Sequence, residues 1–247
     1  MRIIFSYDRV TSSSDPEYFS DLKEHLLLLK RRFTISFPEE TESTITVNLL
    51  FSHASADFYY NLFPFLTEHN IKAVLGASHR YLTPEDVDKP SLKVRLTVPD
   101  TLAFQDDVFP LSRPFCCYRE LRELAHSSVI KIACHGNELK NCVTSPQCQD
   151  NEIIHSKELI EKIINQPIDS FVFPFGRYNG TAYRKAVSHY RFLFVKGSAL
   201  NTNRSSGLLF RIPLNDPLAI RKVFSLREIR NYATNFVYEK LRQLVRS

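Results

Sequence analysis

Leu49–Leu75, LLFSHASADFYYNLFPFLTEHNIKAVL, reads as an apolar strand, a short polar loop, an amphipathic helix and a second strand. The strand runs from Val47 to Phe51, the loop from Ser52 to Asp57 and the helix from about Phe58 to His69, with the second strand starting at Ala73. The loop falls at the C-terminal end of the first strand, the edge at which α/β folds bind ligands. Ser52 and His53 are therefore the first candidates for chemistry.

The same rhythm continues on both sides. Arg2–Tyr7 reads as a strand, and Pro16–Lys30 as a helix with Asp15 placed to cap it. Further helices are expected over 118–126, 156–165, 181–190 and 226–245, and strands over 129–133, 170–173, 192–195 and 208–212. Between Ser78 and Pro114 lies a polar connection with five prolines and little periodicity, long enough to be a functional excursion. Strands separated by helices imply a parallel sheet, and this many units favour a barrel over an open sheet.

Composition sets limits. With 247 residues, 43% of them hydrophobic and 24% charged, the chain can bury one sizeable core. The net charge of +5 is spread along the sequence without a recognised reader motif, which argues against nucleic acid as a partner. No apolar run approaches the length of a spanning helix, and the opening MRIIFSYDRV lacks the apolar core of a secretory signal, so a cytoplasmic location is expected. Five cysteines without paired CxxC spacing fit reduced thiols better than a disulfide or zinc-ribbon framework. Cys116 and Cys117 read as packing residues, with no histidine placed as a partner in a recognised motif.

Several segments carry a family resemblance in order and spacing. Tyr7–Val10 resembles a YHRV opening, Leu50–Phe58 resembles TFDDGxxDF, Tyr118–His135 resembles xEELRELxxxGxxIGSH, Phe171–Asn179 (FVFPFGRYN) resembles FxYPFGxYN, and Arg211-Ile212-Pro213 resembles a late RIP-type strand. Together they resemble the polysaccharide deacetylase family, the NodB-homology domains of carbohydrate esterase family four, along nearly the whole chain. The resemblance implies a distorted (β/α)7 barrel forming a single domain over 1–247, with an N-terminal extension at 1–44, a core barrel at 45–214 and a C-terminal helix at 217–247.

That family uses a divalent metal, usually zinc, held by one aspartate and two histidines, with a second aspartate as general base. The metal activates water and holds the developing oxyanion of amide hydrolysis. Here Ser52 stands at the base position and His53 at the metal-aspartate position. The HxxxH pair begins at His135 but falls on Leu139, which has no donor atom. A metal would need His53 and His135 completed by Glu138 or Asp57, with Cys134 and Asp8 also near in the resembled frame. The plain alternative is that both histidines are polar residues at strand ends. Loss of a general base alone costs about 10²–10⁴-fold in rate. Pro174, Phe175, Gly176, Arg177 and Tyr178 are expected to form an aromatic wall for a sugar, the alternative being ordinary turn chemistry after a strand.

The function favoured is a polysaccharide-deacetylase-like protein of surface-polysaccharide or glycan metabolism, catalytically impaired and binding a glycan or glycan precursor. Two alternatives stand beside it: an active deacetylase with a rearranged metal site, and an interaction protein that kept only the barrel. The implied partner is an N-acetylated glycan or lipid-linked precursor; the sugar and the oligomeric state are not legible.

Overall fold

The computed structural model describes residues 1–12, 15–40, 45–202, 207–214, 222–223 and 225–246. Seven parallel strands close into a barrel: β1 (Arg2–Tyr7), β3 (Thr46–Phe51), β4 (Ala73–Ala77), β5 (Ile130–Cys134), β6 (Ser170–Val172), β7 (Phe192–Lys196) and β8 (Leu208–Pro213). The ring closes where β1 pairs with both β3 and β8, with Phe5 opposite Leu49 on one side and Ile212 on the other. A two-residue strand, β2 (Thr34–Ile35), adds to β3 from outside the ring.

The barrel therefore begins at Arg2. β1, which lies within the stretch expected as an N-terminal extension at 1–44, is thus a barrel strand, and without it the facing edges of β3 and β8 would be left unpaired. The closing helix spans Leu226–Arg246; of the segment expected at 217–247, residues 217–221, 224 and 247 lie outside the described residues.

Strand alternation divides the core in two. Ile4, Leu50, Val74, Ala133, Val172, Phe194 and Leu209 point into the barrel and fill it. Their neighbours Phe5, Leu49, Phe51, Leu75, Ile132 and Phe171 point outward into the layer beneath the helices. Helix α1 (Pro16–Arg32) starts with Pro16 in its first turn and with the Asp15 side chain accepting the Tyr18 N–H at 3.0 Å. It buries Tyr18, Leu22, His25, Leu26 and Leu29, one stripe at helical spacing.

The helix expected over 58–69 is split. Residues Phe58–Leu62 form a wide turn before α2 (Phe63–Glu68), with the Phe63 N–H returning to the Phe58 carbonyl. Pro64 has no N–H to close an α-helical turn, which accounts for the break.

The 78–114 connection is structured. It carries α3 (Leu92–Thr97), α4 (Asp100–Ala103) and α5 (Phe109–Ser112) around a satellite core of Tyr81, Val98, Ala103, Phe109 and Phe115. A buried guanidinium holds it to α6 (Tyr118–Ala125): Arg95 donates to both carboxylate oxygens of Glu120 at 2.8 Å and to the Arg113 and Phe115 carbonyls. Helices α7 (Ser156–Ile164), α8 (Gly180–His189) and α9 (Leu226–Arg246) complete the outer layer. Among the described residues, no helix is long and apolar enough to cross a membrane.

Candidate functional site

The parity that fills the barrel also builds its mouth. Two residues beyond each inward apolar position, the same face presents Ser6 and then Asp8 at the end of β1, Ser52 after β3, Gly76 on β4, His135 after β5, Pro174 after β6, Lys196 on β7 and Arg211 on β8. All but Gly76 line a cleft of about 1230 Å³. The excursion adds Tyr81 and Phe104 to one wall, and the loop after His135 adds Glu138, Leu139 and Asn141. Arg9, buried just past β1, anchors the excursion over the mouth through Asp100 and the Val98 carbonyl.

His135 is fixed from one side only. Its Nδ1 lies 2.8 Å from the Ser52 backbone carbonyl, so Nδ1–H donates and Nε2 keeps its lone pair. That Nε2 is buried and has no hydrogen-bond partner. Burial, and then the Arg211 cation, push the His135 pKa down to about 3. His53 sits alongside, its ring centroid 5.1 Å from that of His135 and 4.9 Å from that of Phe104. Burial foremost, with His135, Arg211 and Arg9 adding to it, holds His53 well below the ordinary histidine range. Both imidazoles are thus neutral near pH 7.

Arg211 is nine-tenths buried and donates through one guanidinium nitrogen to Ser52 Oγ at 3.1 Å. Among the described residues no carboxylate lies within 4.0 Å of it. Burial lowers its pKa and the Asp8 charge opposes that. Asp8 is itself pushed up by desolvation, against the pull of Arg211 and Lys196.

These residues do not fit the family's metal. Asp57 is turned away from the cleft: its carboxylate accepts from the Ser12 N–H at 2.7 Å, from the Ser12 hydroxyl and from Asn61 at 2.7 Å. Glu138 lines the cleft but is engaged by Lys140 at 2.6 Å and Arg80 at 3.6 Å. Cys134 points out of the barrel to Ser156 Oγ, at 3.0 Å. Leu139, in the left-handed region at φ 59°, packs against the satellite core. Among the described residues no three His, Cys, Asp or Glu side chains gather as a ligand set. A guanidinium occupies the neighbourhood of Ser52, where a bound cation would be repelled. His53 and His135 lie side by side, and among the described residues no third His, Cys, Asp or Glu donor joins them.

The 174–178 segment lies along the opposite wall. Pro174 is buried, Phe175 stands 63% exposed in the left-handed region at φ 57°, and Tyr178 packs beside Phe173 and Tyr183. Gly176, at φ 66°, brings the turn onto the Lys196 backbone, where a Cβ would overlap it. Arg177 is exposed at the rim. Glu152, fully buried, accepts the N–H groups of Asn137 at 3.0 Å and Glu138 at 2.9 Å, and so shapes the loop after His135. Arg211, Lys196, Tyr81 and Phe104 were not expected as site residues. For the first two the signal is their parity with Leu209 and Phe194; for the aromatic pair the sequence carries none.

Residues 39–192 match the family model for polysaccharide deacetylase. No curated protein matches the chain. Among solved structures, the chain is similar to the Streptococcus pyogenes deacetylase PplD in complex with acetate, at 16% identity over 90% of this chain and 96% of that one, with a TM-score of 0.64. It is similar to a de-N-acetylase from Aggregatibacter actinomycetemcomitans at 17% identity, 94% and 99% coverage and a TM-score of 0.66. For the BpsB deacetylase domain from Bordetella bronchiseptica the values are 17%, 86%, 95% and 0.63. The closed seven-stranded parallel barrel and the match over more than half of its length agree: this chain belongs to the polysaccharide deacetylase family.

Proposed function

We propose that this protein binds a glycan in the cleft at the barrel mouth and has lost most or all of the hydrolytic activity of its family. The observation that carries this reading is the hydrogen bond from Arg211 to Ser52 Oγ, which puts a hydroxyl held by a cation at the family's general-base position, beside His53 in place of the second aspartate. A serine hydroxyl is no base without a partner that removes its proton. His135, with its pKa near 3, is too weak a base to do so. The 174–178 wall and the aromatic residues Tyr81 and Phe104 supply apolar faces on which sugar rings stack. The ligand class is an N-acetylated or otherwise substituted glycan or its lipid-linked precursor, met in the cytoplasm.

The unpartnered Nε2 of His135 supports a second reading, an active deacetylase with a rearranged metal site on His53 and His135. Elemental analysis of the purified protein, a zinc titration followed by thermal melting, and a deacetylation assay on chito-oligosaccharides separate the two. The binding reading predicts no stoichiometric metal, no change of Tm with zinc, no turnover, and glycan binding that Tyr178→Ala weakens. Turnover that depends on His135 would overturn it.

A further inference from the structure

The cleft has an uncommon charge arrangement. Lys196 on β7 and Arg211 on β8 are directly paired in register, and both belong to the inward face at the mouth. Like charges opposite each other on one face of a sheet repel. No carboxylate lies within ion-pair distance of either among the described residues, and the guanidinium, nine-tenths buried, has Ser52 Oγ as its hydrogen-bond partner. A guanidinium nine-tenths buried, with a neutral hydroxyl as its hydrogen-bond partner, lacks among the described residues a contacting anion that would compensate its desolvation. Arg177 adds a third cation at the rim. Among the described residues the cleft carboxylates are Glu138 and Asp8; Glu138 is already neutralised by Lys140 and Arg80, which leaves Asp8 against three cations. Beside them the Nε2 of His135 is a buried acceptor in need of a donor.

We propose that the cleft selects an acidic sugar, whose carboxylate or phosphoryl oxygens are held between Arg211 and Lys196 while a sugar hydroxyl donates to Nε2 of His135. The inference rests on the glycan-binding reading and names the chemical class of the glycan. A bidentate anion satisfies guanidinium donors that water-exposed sugar hydroxyls satisfy poorly. Neighbouring aromatic side chains then take the sugar ring, so a bare anion fills only part of the site.

Titration calorimetry at low and at physiological salt, with a trigalacturonic acid, N-acetylglucosamine 1-phosphate, neutral chitotriose and inorganic phosphate, tests this. One of the two acidic sugars is expected to bind at least about tenfold tighter than chitotriose, with salt weakening it, and which of the two does so identifies the anion. Lys196→Gln, at an exposed position, and Arg211→Gln are each expected to abolish that preference, while Arg211→Lys retains part of it. Chitotriose binding as tightly as the acidic sugars, with both Gln variants silent, would overturn the proposal and leave the glycan reading standing. Inorganic phosphate matching the sugar phosphate would also overturn it, by showing a bare anion site. Binding of no sugar at all, neutral or acidic, would remove the glycan reading itself.

Discussion

His135 Nδ1 donates to the Ser52 carbonyl at 2.8 Å, passing over Gly76 of the intervening strand. The bond fixes the tautomer of one of the two imidazoles that line the cleft. It exists because β4 carries no side chain at that point: a Cβ on Gly76 would overlap the Ser52 oxygen and touch the His135 Cβ at 3.4 Å.

Gly76→Ala is accordingly expected to displace the Ser52 carbonyl and break that bond. The cost should be about 1–3 kcal/mol, from one buried acceptor left unpaired and local strain. Urea denaturation measures it, and proton NMR of the imidazole N–H reports the bond directly. An unchanged midpoint together with a retained N–H resonance would contradict the assignment.

Besides Arg9, a buried ion pair, Arg95 with Glu120, holds the excursion over the mouth. Burial alone would raise the Glu120 pKa, but the hydrogen bonds and charge of Arg95 outweigh it and hold the carboxyl below its usual range. Glu120 also accepts the Cys117 N–H at 2.8 Å and the Tyr60 hydroxyl at 2.9 Å. Glu120→Ala leaves a guanidinium buried without its anion, and a loss of about 3–5 kcal/mol is expected in urea unfolding. Arg95→Met with Glu120→Leu should lose much less, since no uncompensated charge remains.

Glu152 should matter to the loop after His135. In Glu152→Gln one acceptor oxygen becomes an NH₂ that faces a backbone donor, at a cost of about 1–3 kcal/mol. Amide exchange at Asn137 and Glu138, whose N–H groups it now accepts, is expected to quicken by more than global destabilisation alone explains. Exchange that speeds equally throughout the barrel would assign Glu152 a purely global role.

Acid should destabilise the fold through His25. Buried against Phe5 and Tyr7, with ring centroids at 5.9 and 6.2 Å, it is pushed by burial from 6.5 down to about 4. Below 6.5 the unfolded chain takes up the proton and the folded chain does not until about 4, so stability is full above that window and falls as pH drops through it. The group accounts for about 3 kcal/mol across the window. His25→Leu should therefore flatten the dependence of the urea midpoint between pH 7 and 4.5. His135 acts in the same direction and remains in the variant, so part of the slope persists.

The amino-acid sequence by itself determined the order of the seven barrel strands and of the helices outside the 78–114 connection, the family, and the loss of the aspartate pair and of the second histidine at Leu139. Periodicity and motif spacing are local properties, written in consecutive residues. Strand parity was legible too, and applied to Leu209–Arg211 and Phe194–Lys196 it already turns both cations into the barrel. Only the tertiary structure decided which groups meet. Asp57 and Glu138 were plausible metal donors by sequence distance, yet one is consumed by Ser12 and Asn61 and the other by Lys140 and Arg80. β1 looked like an extension because its partners lie far along the chain, at β3 and β8. The pairing of Lys196 with Arg211, and the arrival of Arg211 at Ser52, follow from barrel closure and register, which couple residues as far apart in sequence as 52 and 211.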